Sequence, residues 1–239
     1  MCILPLLAFL ITVHYFALVK SSSSNEPLPT DLDSGFKVSL DLFVMSKCPD
    51  AVRCEQRMND VLKTVQNISK VQTHYIADVA GQNVQCKHGI SECLGNQQQL
   101  CMLKHTSPQA FWGFIQCQNQ DITTVGTSSS AERCLDQVLS EVSHESVIHK
   151  VRSCFNGKEA TQLLRESATF TKDKGVVKSC TMWVNGKPRC VHDGGIWYDC
   201  PGGPEVEDFI DSICSSYWKE TGHWAKDCED SSSTSKSVA

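Results

Sequence analysis

Residues 38–54, VSLDLFVMSKCPDAVRC, begin in one periodicity and end in another. Val38, Leu40, Leu42 and Val44 alternate with Ser39, Asp41 and Phe43, the period of a strand, and Phe43 calls for a second apolar surface on the opposite face. Beyond the Ser46-Lys47-Cys48-Pro49-Asp50 break, Val52, Met58, Val61, Leu62, Val65 and Ile68 recur at helical spacing. A short loop carrying Cys48 therefore passes from strand to helix. It puts a sulfur beside the unpaired amides of a helix N-terminus, a location that favours thiolate over thiol.

The chain has 239 residues, enough for one good-sized core or a core with a helical insertion. A net charge of -5 with dispersed lysines gives no electrostatic reason to expect nucleic acid as a partner. Fourteen cysteines suit an oxidising compartment better than the cytosol. Residues 1–20 read as a secretory signal peptide or, if uncleaved, an N-terminal anchor, because Cys2 to Val19 is almost wholly apolar and is followed by Lys20 and a serine run. No later stretch is apolar enough to span a bilayer, so no other membrane contact is expected. Removal of the signal takes Cys2 with it. Of the fourteen cysteines thirteen then remain, and at least one must be free, joined to another chain in a disulfide-linked dimer, or used in chemistry.

Residues 21–36 read as a flexible lead-in, 37–219 as one domain and 220–239 as a polar tail. Within the domain, Gln72 to Val79 is a second strand expected to lie parallel to the first. Gly81 to Cys101 is turn-rich and bears three cysteines, and helical patterning follows over 109–116, 132–142, 146–154 and 158–168. Strand character returns at Val176 and Val177 and from Cys180 to Val184. Asn185-Gly186 is a hairpin turn, Pro188 to Val191 the returning strand, and Glu205 to Trp218 a closing helix. The class is α/β: strand, helix, strand, a cysteine-rich helical insertion over about 81–170, hairpin and helix, the order of a thioredoxin-like core. Asn67-Ile68-Ser69 is a glycosylation acceptor sequence.

A thiol–disulfide exchanger needs an accessible, stabilised thiolate and usually a second thiol to release the mixed disulfide. Cys48 meets the positional requirement for the first. Three residues on, where a C-x-x-C motif has its second sulfur, stands Ala51, and the nearest cysteine is Cys54. Six helical residues would separate the two Cα atoms by about 9 Å, beyond the roughly 7 Å reach of a disulfide. A direct bond would need residues 48–51 to form a non-helical turn, with Asp50 capping a helix that begins at Ala51. A plain structural disulfide from either cysteine is the alternative. The group Cys86, His88, Glu92 and Cys93, with Cys101 beyond, has metal-ligand chemistry, but the spacing fits no common zinc pattern and an oxidising compartment favours a disulfide-stapled loop.

Cys86-Lys87-His88-Gly89, two residues, Glu92-Cys93, two residues, Asn96, four residues, Cys101 closely resembles the signature of the gamma-interferon-inducible lysosomal thiol reductase family, with Lys87 where that family usually has glutamine. Ala110-Phe111 to Cys117, Cys134, Cys154-Phe155-Asn156-Gly157, Trp183 to Lys187 and Cys214 extend the resemblance over Val38 to Trp218. It implies a glycosylated thiol reductase of the secretory and lysosomal route with a thioredoxin-like core. Its attacking sulfur falls on Cys48 and its second sulfur on Ala51. The family's cis-proline before the hairpin strand falls on Cys180. A non-proline cis bond costs about 2.5–4 kcal/mol, so Cys180 is expected to be trans. Cys180 should lie near Cys48. It can pair with Cys48, join Cys48 and Cys54 in a relay, or staple the hairpin to Cys190.

The leading reading is a secreted or lumenal oxidoreductase in which Cys48 attacks a protein disulfide and Cys54, or Cys180 in its place, resolves the intermediate. It would use no organic cofactor or metal, would take electrons from a small thiol or a protein reductant, and would work outside the cell or in a lysosomal or vacuolar lumen. The rival is a non-catalytic, disulfide-rich secreted binding protein that retains the fold. A metal or iron–sulfur site on Cys48 and Cys180 is a third class.

Overall fold

The structure is a computed structural model that describes residues 35–139 and 141–229. The expected signal peptide, the lead-in through Ser34 and the last ten residues of the tail lie outside the described residues. The chain runs β1 (Val38–Val44), α1 (Pro49–Val65), β2 (Ser69–Tyr75), a small hairpin of β3 (Asp78–Ala80) and β4 (Asn83–Gln85), then α2 (Ile90–His105), α3 (Pro108–Gln118), α4 (Ser128–Val138), α5 (Glu141–Phe155) and α6 (Lys158–Asp173). It closes with β5 (Thr181–Val184), β6 (Lys187–Asp193), β7 (Ile196–Tyr198) and α7 (Val206–Thr221). The sheet order is β2-β1-β5-β6-β7, with β2 parallel to β1 and the other pairs antiparallel. This is a thioredoxin-like core with a helical insertion between β4 and β5.

The alternation in β1 has the expected consequence. Val38, Leu40, Leu42 and Val44 join Met58, Val61 and Val65 of α1 and Phe209 and Ile213 of α7 in one buried cluster. Phe43 faces the other way and meets His74, Trp183 and Phe170 of α6. The insertion has its own apolar centre, including Phe111, Phe114, Leu135 and Val151. Disulfides Cys101–Cys154 and Cys117–Cys134 staple its helices together. Asn185 and Gly186 both have positive φ, 47° and 70°, as a two-residue type I′ hairpin turn requires. No helix among the described residues is long and apolar enough to cross a membrane.

Three local expectations are corrected. The turn-rich stretch Gly81 to Cys101 contains the turn and second strand (β4) of the β3–β4 hairpin and most of the 16-residue helix α2. Apolar periodicity could not show this helix, because its buried side carries amides: Tyr75 Oη donates to Gln99, Gln99 Nε2 to Gln118, and Gln118 Nε2 to Gln98 at 2.6, 2.8 and 3.1 Å. Val176 and Val177 lie outside any strand, and the Val176 amide instead bonds back to Thr171 as α6 ends. The tail stays packed further than expected, since Cys214–Cys228 fastens a short 3-10 turn (Lys226–Cys228) onto the core.

Glu55 of α1 is buried against α3. Its Oε2 accepts from Asn119 Nδ2 at 2.6 Å and its Oε1 has no partner. Burial pushes the carboxyl up from 4.5 to about 7, against the smaller pull of the Asn119 hydrogen bond. The ionised form also faces Tyr75 of β2, whose phenol is itself pushed up by burial and by Glu55. Below about pH 4.5 the carboxyl is protonated in both folded and unfolded chains. Between 4.5 and 7 the unfolded chain releases a proton that the folded chain keeps, so stability falls as pH rises through this window. The loss is roughly 3 kcal/mol at about 1.4 kcal/mol per pH unit. Urea unfolding at about pH 5 and about pH 8 should show this slope in the wild type and its loss in Glu55→Gln; an equal slope in both would place the pH dependence elsewhere.

Candidate functional site

The loop between β1 and α1 is fixed from three sides. A turn bonds the Cys48 amide to the Met45 carbonyl at 2.9 Å, and the Met45 amide donates to Ser179 Oγ at 3.0 Å, which ties the loop to the segment before β5. The Ser46 amide donates to Asn96 Oδ1 at 3.1 Å and Ser46 Oγ to the Glu92 carbonyl at 3.2 Å, which ties it to α2. Lys47 Nζ reaches the Thr123 carbonyl at 2.9 Å, ahead of α4. Cys48 itself is the N-cap residue of α1, with extended backbone (φ -91°, ψ 126°) and no side-chain capping bond. Pro49 follows at the first helical position, where its fixed φ suits the helix and its missing N–H is no loss.

Asp50 does not cap a helix beginning at Ala51. Because Pro49 starts the helix earlier, Asp50 sits within the first turn and reaches across to β6 and β7. Its carboxylate accepts from the Gly194 and Gly195 amides, both at 3.1 Å, and lies 2.8 Å from His192 Nδ1, off hydrogen-bond geometry. The turn between β6 and β7 is thereby held over the start of α1.

Six disulfides account for twelve of the cysteines, and among the described residues Cys48 alone is free. The decisive pair is Cys54–Cys180, Cα atoms 6.3 Å apart, joining α1 to the residue before β5 across 126 positions. Cys48 is therefore bonded to neither, and Cys180 does not staple to Cys190, which pairs with Cys200. The Cys48 thiol points at the Ser179 carbonyl oxygen, 4.0 Å away, so it faces the residue next to Cys180. Cys54 and Cys180 are fully buried, whereas Cys48 keeps 9% exposure.

The expectation that Cys180 would be trans is wrong, since the Ser179–Cys180 bond is cis. The expectation weighed the peptide bond in isolation. In the fold, Cys180 exchanges two 2.9 Å backbone bonds with His192, is bonded to Cys54, and follows a serine held by Met45. These contacts fix the segment on which the resemblance placed a cis-proline.

The signature residues run from the loop before α2, which holds Cys86 and His88, through the N-cap Gly89 and into the helix. Cys86 and Cys93 form a disulfide, so neither sulfur is free for a metal, and the same holds for Cys180 in the iron–sulfur alternative. Gly89 takes φ 85° as the N-cap of α2, and its carbonyl accepts from the Glu92 and Cys93 amides. Glu92, completely buried, accepts from the His88 amide at 3.3 Å and pairs with the His88 ring. Asn96, also completely buried, turns its Nδ2 to Cys86 Sγ at 3.7 Å and its Oδ1 to Ser46. Cys101 is apart from this cluster, in its bond to Cys154. Asn67 is exposed in a short 3-10 turn (Gln66–Ile68) before β2. Sequence reading missed Ser46 and Ser179, which belong to no motif and act through their position in loops.

Residues 39–138 match the family described as gamma interferon inducible lysosomal thiol reductase (GILT). The match takes in Cys48, Cys54 and the α2 signature and stops short of Cys180. Over 212 residues, 84% of this chain and 79% of the relative, the chain is 26% identical to a gamma-interferon-responsive lysosomal thiol protein of Arabidopsis thaliana. Among solved structures, DsbA of Chlamydia trachomatis is similar at TM-score 0.54 and 12% identity, covering 79% of this chain and 88% of that one. Reduced DsbA of Mycobacterium tuberculosis is similar at TM-score 0.51 and 13% identity, covering 82% and 88%. At these identities the structural likeness is one of fold.

Gly95 measures how closely α2 meets the loop. A Cβ there would stand 2.3 Å from Val125 Cγ1 and 2.7 Å from Ser46 Oγ. Gly95→Ala should therefore cost about 1–3 kcal/mol in a urea titration, the usual range for overpacking. An unchanged midpoint would mean that α2 does not press on the loop as closely as described.

Proposed function

We propose that this chain, whose residues 39–138 match the gamma interferon inducible lysosomal thiol reductase family, is a thiol–disulfide oxidoreductase that reduces protein disulfides through Cys48, with Cys54 and Cys180 completing the reaction. One observation carries the reading. The only free thiol among the described residues stands at the start of α1 against Ser179, and Cys180, the next residue, is bonded to Cys54. On this reading the Cys54–Cys180 bond is the oxidised end of a cycle among three sulfurs, which supplies the electron pair that Ala51 cannot.

With all three cysteines reduced, the Cys48 thiolate attacks a substrate disulfide, forming a mixed disulfide and expelling one substrate thiolate. Cys180 then attacks the Cys48 sulfur and expels the second substrate thiolate, because a helix that begins at Pro49 leaves Cys54 beyond direct disulfide reach of Cys48. The remaining sulfur of the pair attacks in turn, leaving Cys54–Cys180 joined and Cys48 as a thiol. Two equivalents of a small thiol restore the starting state and leave as their own disulfide. Access favours Cys48 as the gateway in both directions, because Cys54 and Cys180 are fully buried and Cys48 is not.

Six disulfides support an oxidising lumen in the secretory route, lysosomal, vacuolar or extracellular, as the place of action. The exposed Asn67 acceptor sequence supports glycosylation there. The burial of Cys48 disfavours its use as a link between two folded copies. The same burial, with Ala51 in place of a second sulfur, is what favours the alternative of a binding protein that keeps the fold without the activity.

The two readings part under limiting dithiothreitol. If the cycle operates, brief treatment of the native protein frees Cys54 and Cys180 before the other pairs, in a labelled-thiol peptide map, and Cys48→Ser abolishes insulin-disulfide reduction. If Cys54–Cys180 opens only with global unfolding and Cys48→Ser reduces insulin as well as wild type, the binding reading stands.

A further inference from the structure

The signature at the start of α2 contributes no free sulfur, yet it lies against the loop that holds Cys48. Asn96 is completely buried and uses both ends of its amide. Oδ1 receives the Ser46 amide at 3.1 Å, two residues before Cys48, and Nδ2 faces Cys86 Sγ, one half of the Cys86–Cys93 disulfide, at 3.7 Å. The Glu92 carbonyl takes the Ser46 hydroxyl at 3.2 Å, and the Glu92 carboxylate holds His88, so the turn that presents this carbonyl is itself closed. Gly95, one residue before Asn96, lets α2 approach this closely.

We propose that Asn96 is a positioning residue for Cys48 and that the Cys86–Cys93 disulfide regulates the site through it. With the bond closed, the first turns of α2 are pinned, Asn96 is held by the disulfide sulfur, and Ser46 is held by Asn96. The Cys48 sulfur is thereby kept on its line toward the Ser179–Cys180 segment. When two equivalents of a small thiol reduce Cys86–Cys93 to two thiols and leave as a disulfide, the pin is released. Asn96 loses its fixed neighbour, and the loop carrying Cys48 gains freedom. Exchange geometry is sensitive to displacements of about an ångström, which can change rates by as much as a hundredfold. The signature would then set the rate of exchange at Cys48 without taking part in it. This inference rests on the reading of Cys48 as the attacking thiol, although the clasp on Ser46 can be measured without any activity.

Three variants test it: Asn96→Ala, Asn96→Asp and the double variant Cys86→Ser/Cys93→Ser. They are compared with wild type under conditions where circular dichroism shows all of them folded. Asn96→Asp is assayed in mildly acidic buffer, where burial keeps the new carboxyl neutral and its shape and oxygen acceptor match those of asparagine. The first readout is hydrogen exchange at the Ser46 amide. Asn96→Ala and the double variant should lose protection there, and Asn96→Asp should retain it. The second is reaction at Cys48. Asn96→Ala and the double variant should slow exchange with a disulfide substrate roughly tenfold or more. Alkylation of Cys48 by a small reagent should hold steady or quicken as the loop opens, and Asn96→Asp should restore exchange. A merely structural asparagine would lower the unfolding midpoint and leave the ratio of exchange to alkylation unchanged.

Wild-type protection and wild-type exchange in Asn96→Ala would overturn the proposal. So would Asn96→Asp failing as badly as Asn96→Ala, or the double variant matching wild type in both readouts. If wild type shows no exchange but Asn96→Ala loses Ser46 protection, the oxidoreductase reading fails while the clasp survives. If the double variant does not fold, the two Asn96 variants decide the positioning claim, and the Ser46 amide of wild type treated with limiting dithiothreitol decides the regulatory one.

Discussion

The arrangement around Cys48 depends on the bond between Cys54 and Cys180. It fastens α1 to the residue that leads into β5, and so fixes how the helix bearing Cys48 at its cap meets the centre of the sheet. It also takes two of the three nearby sulfurs out of circulation, so that the identity of the free thiol follows from it. The Ser179 carbonyl faces Cys48 because Ser179 precedes Cys180 in a segment held by the disulfide at one end and by the Met45 amide at the other. Chain entropy adds weight to such a bond, since closing 126 residues of chain restricts the unfolded state more than any short loop would.

The architecture was legible in the sequence where one face of an element is apolar and the other is not. β1, α1, the Asn185-Gly186 hairpin and α7 all met that condition, and each formed within a few residues of its expected limits. α2 did not meet it. Its buried side carries Gln98 and Gln99, linked through Gln118 and to Tyr75, and Asn96, whose amide serves Ser46 and Cys86, and buried amides leave no clear apolar period to read. The site was legible in part for a related reason. That Cys48 belongs to a strand–helix loop follows from local pattern, whereas the partner of Cys54 is set by a contact far along the chain. The contacts around the cis bond at Cys180 come from Met45, β6 and α1 together, and no local rule contains them.

Asp50 shows how one residue can look local and act at long range. Its place after Cys-Pro suggests a helix cap, and an acidic residue in a first turn does complement the helix dipole. Its oxygens are nevertheless turned to the Gly194 and Gly195 amides. The β6–β7 turn, Ser179 and α2 thus approach the Cys48 loop from three directions, each through polar groups on or beside glycine or serine, whose small side chains allow backbones to come close. The polar contacts orient a loop that apolar packing of Met45 and Ala51 has already placed.

The signature and the second thiol are separable in physical terms, and this makes sense of a chain that has one without the other. A sulfur at position 51 would belong to α1, where Ala51 is packed almost completely out of solvent. The clasp from α2 acts on the other side of Cys48, on the amide and hydroxyl of Ser46, before the helix begins. A methyl side chain at position 51 in place of a thiol-bearing one leaves every one of those bonds in place. Cys48 can therefore be presented in the same way whether its partner sulfur comes from the same helical turn or from Cys180 on the facing segment. The signature residues that this chain retains are those that hold the loop, and on the proposed reading the changes at Ala51 and Cys180 move the second sulfur to the facing segment.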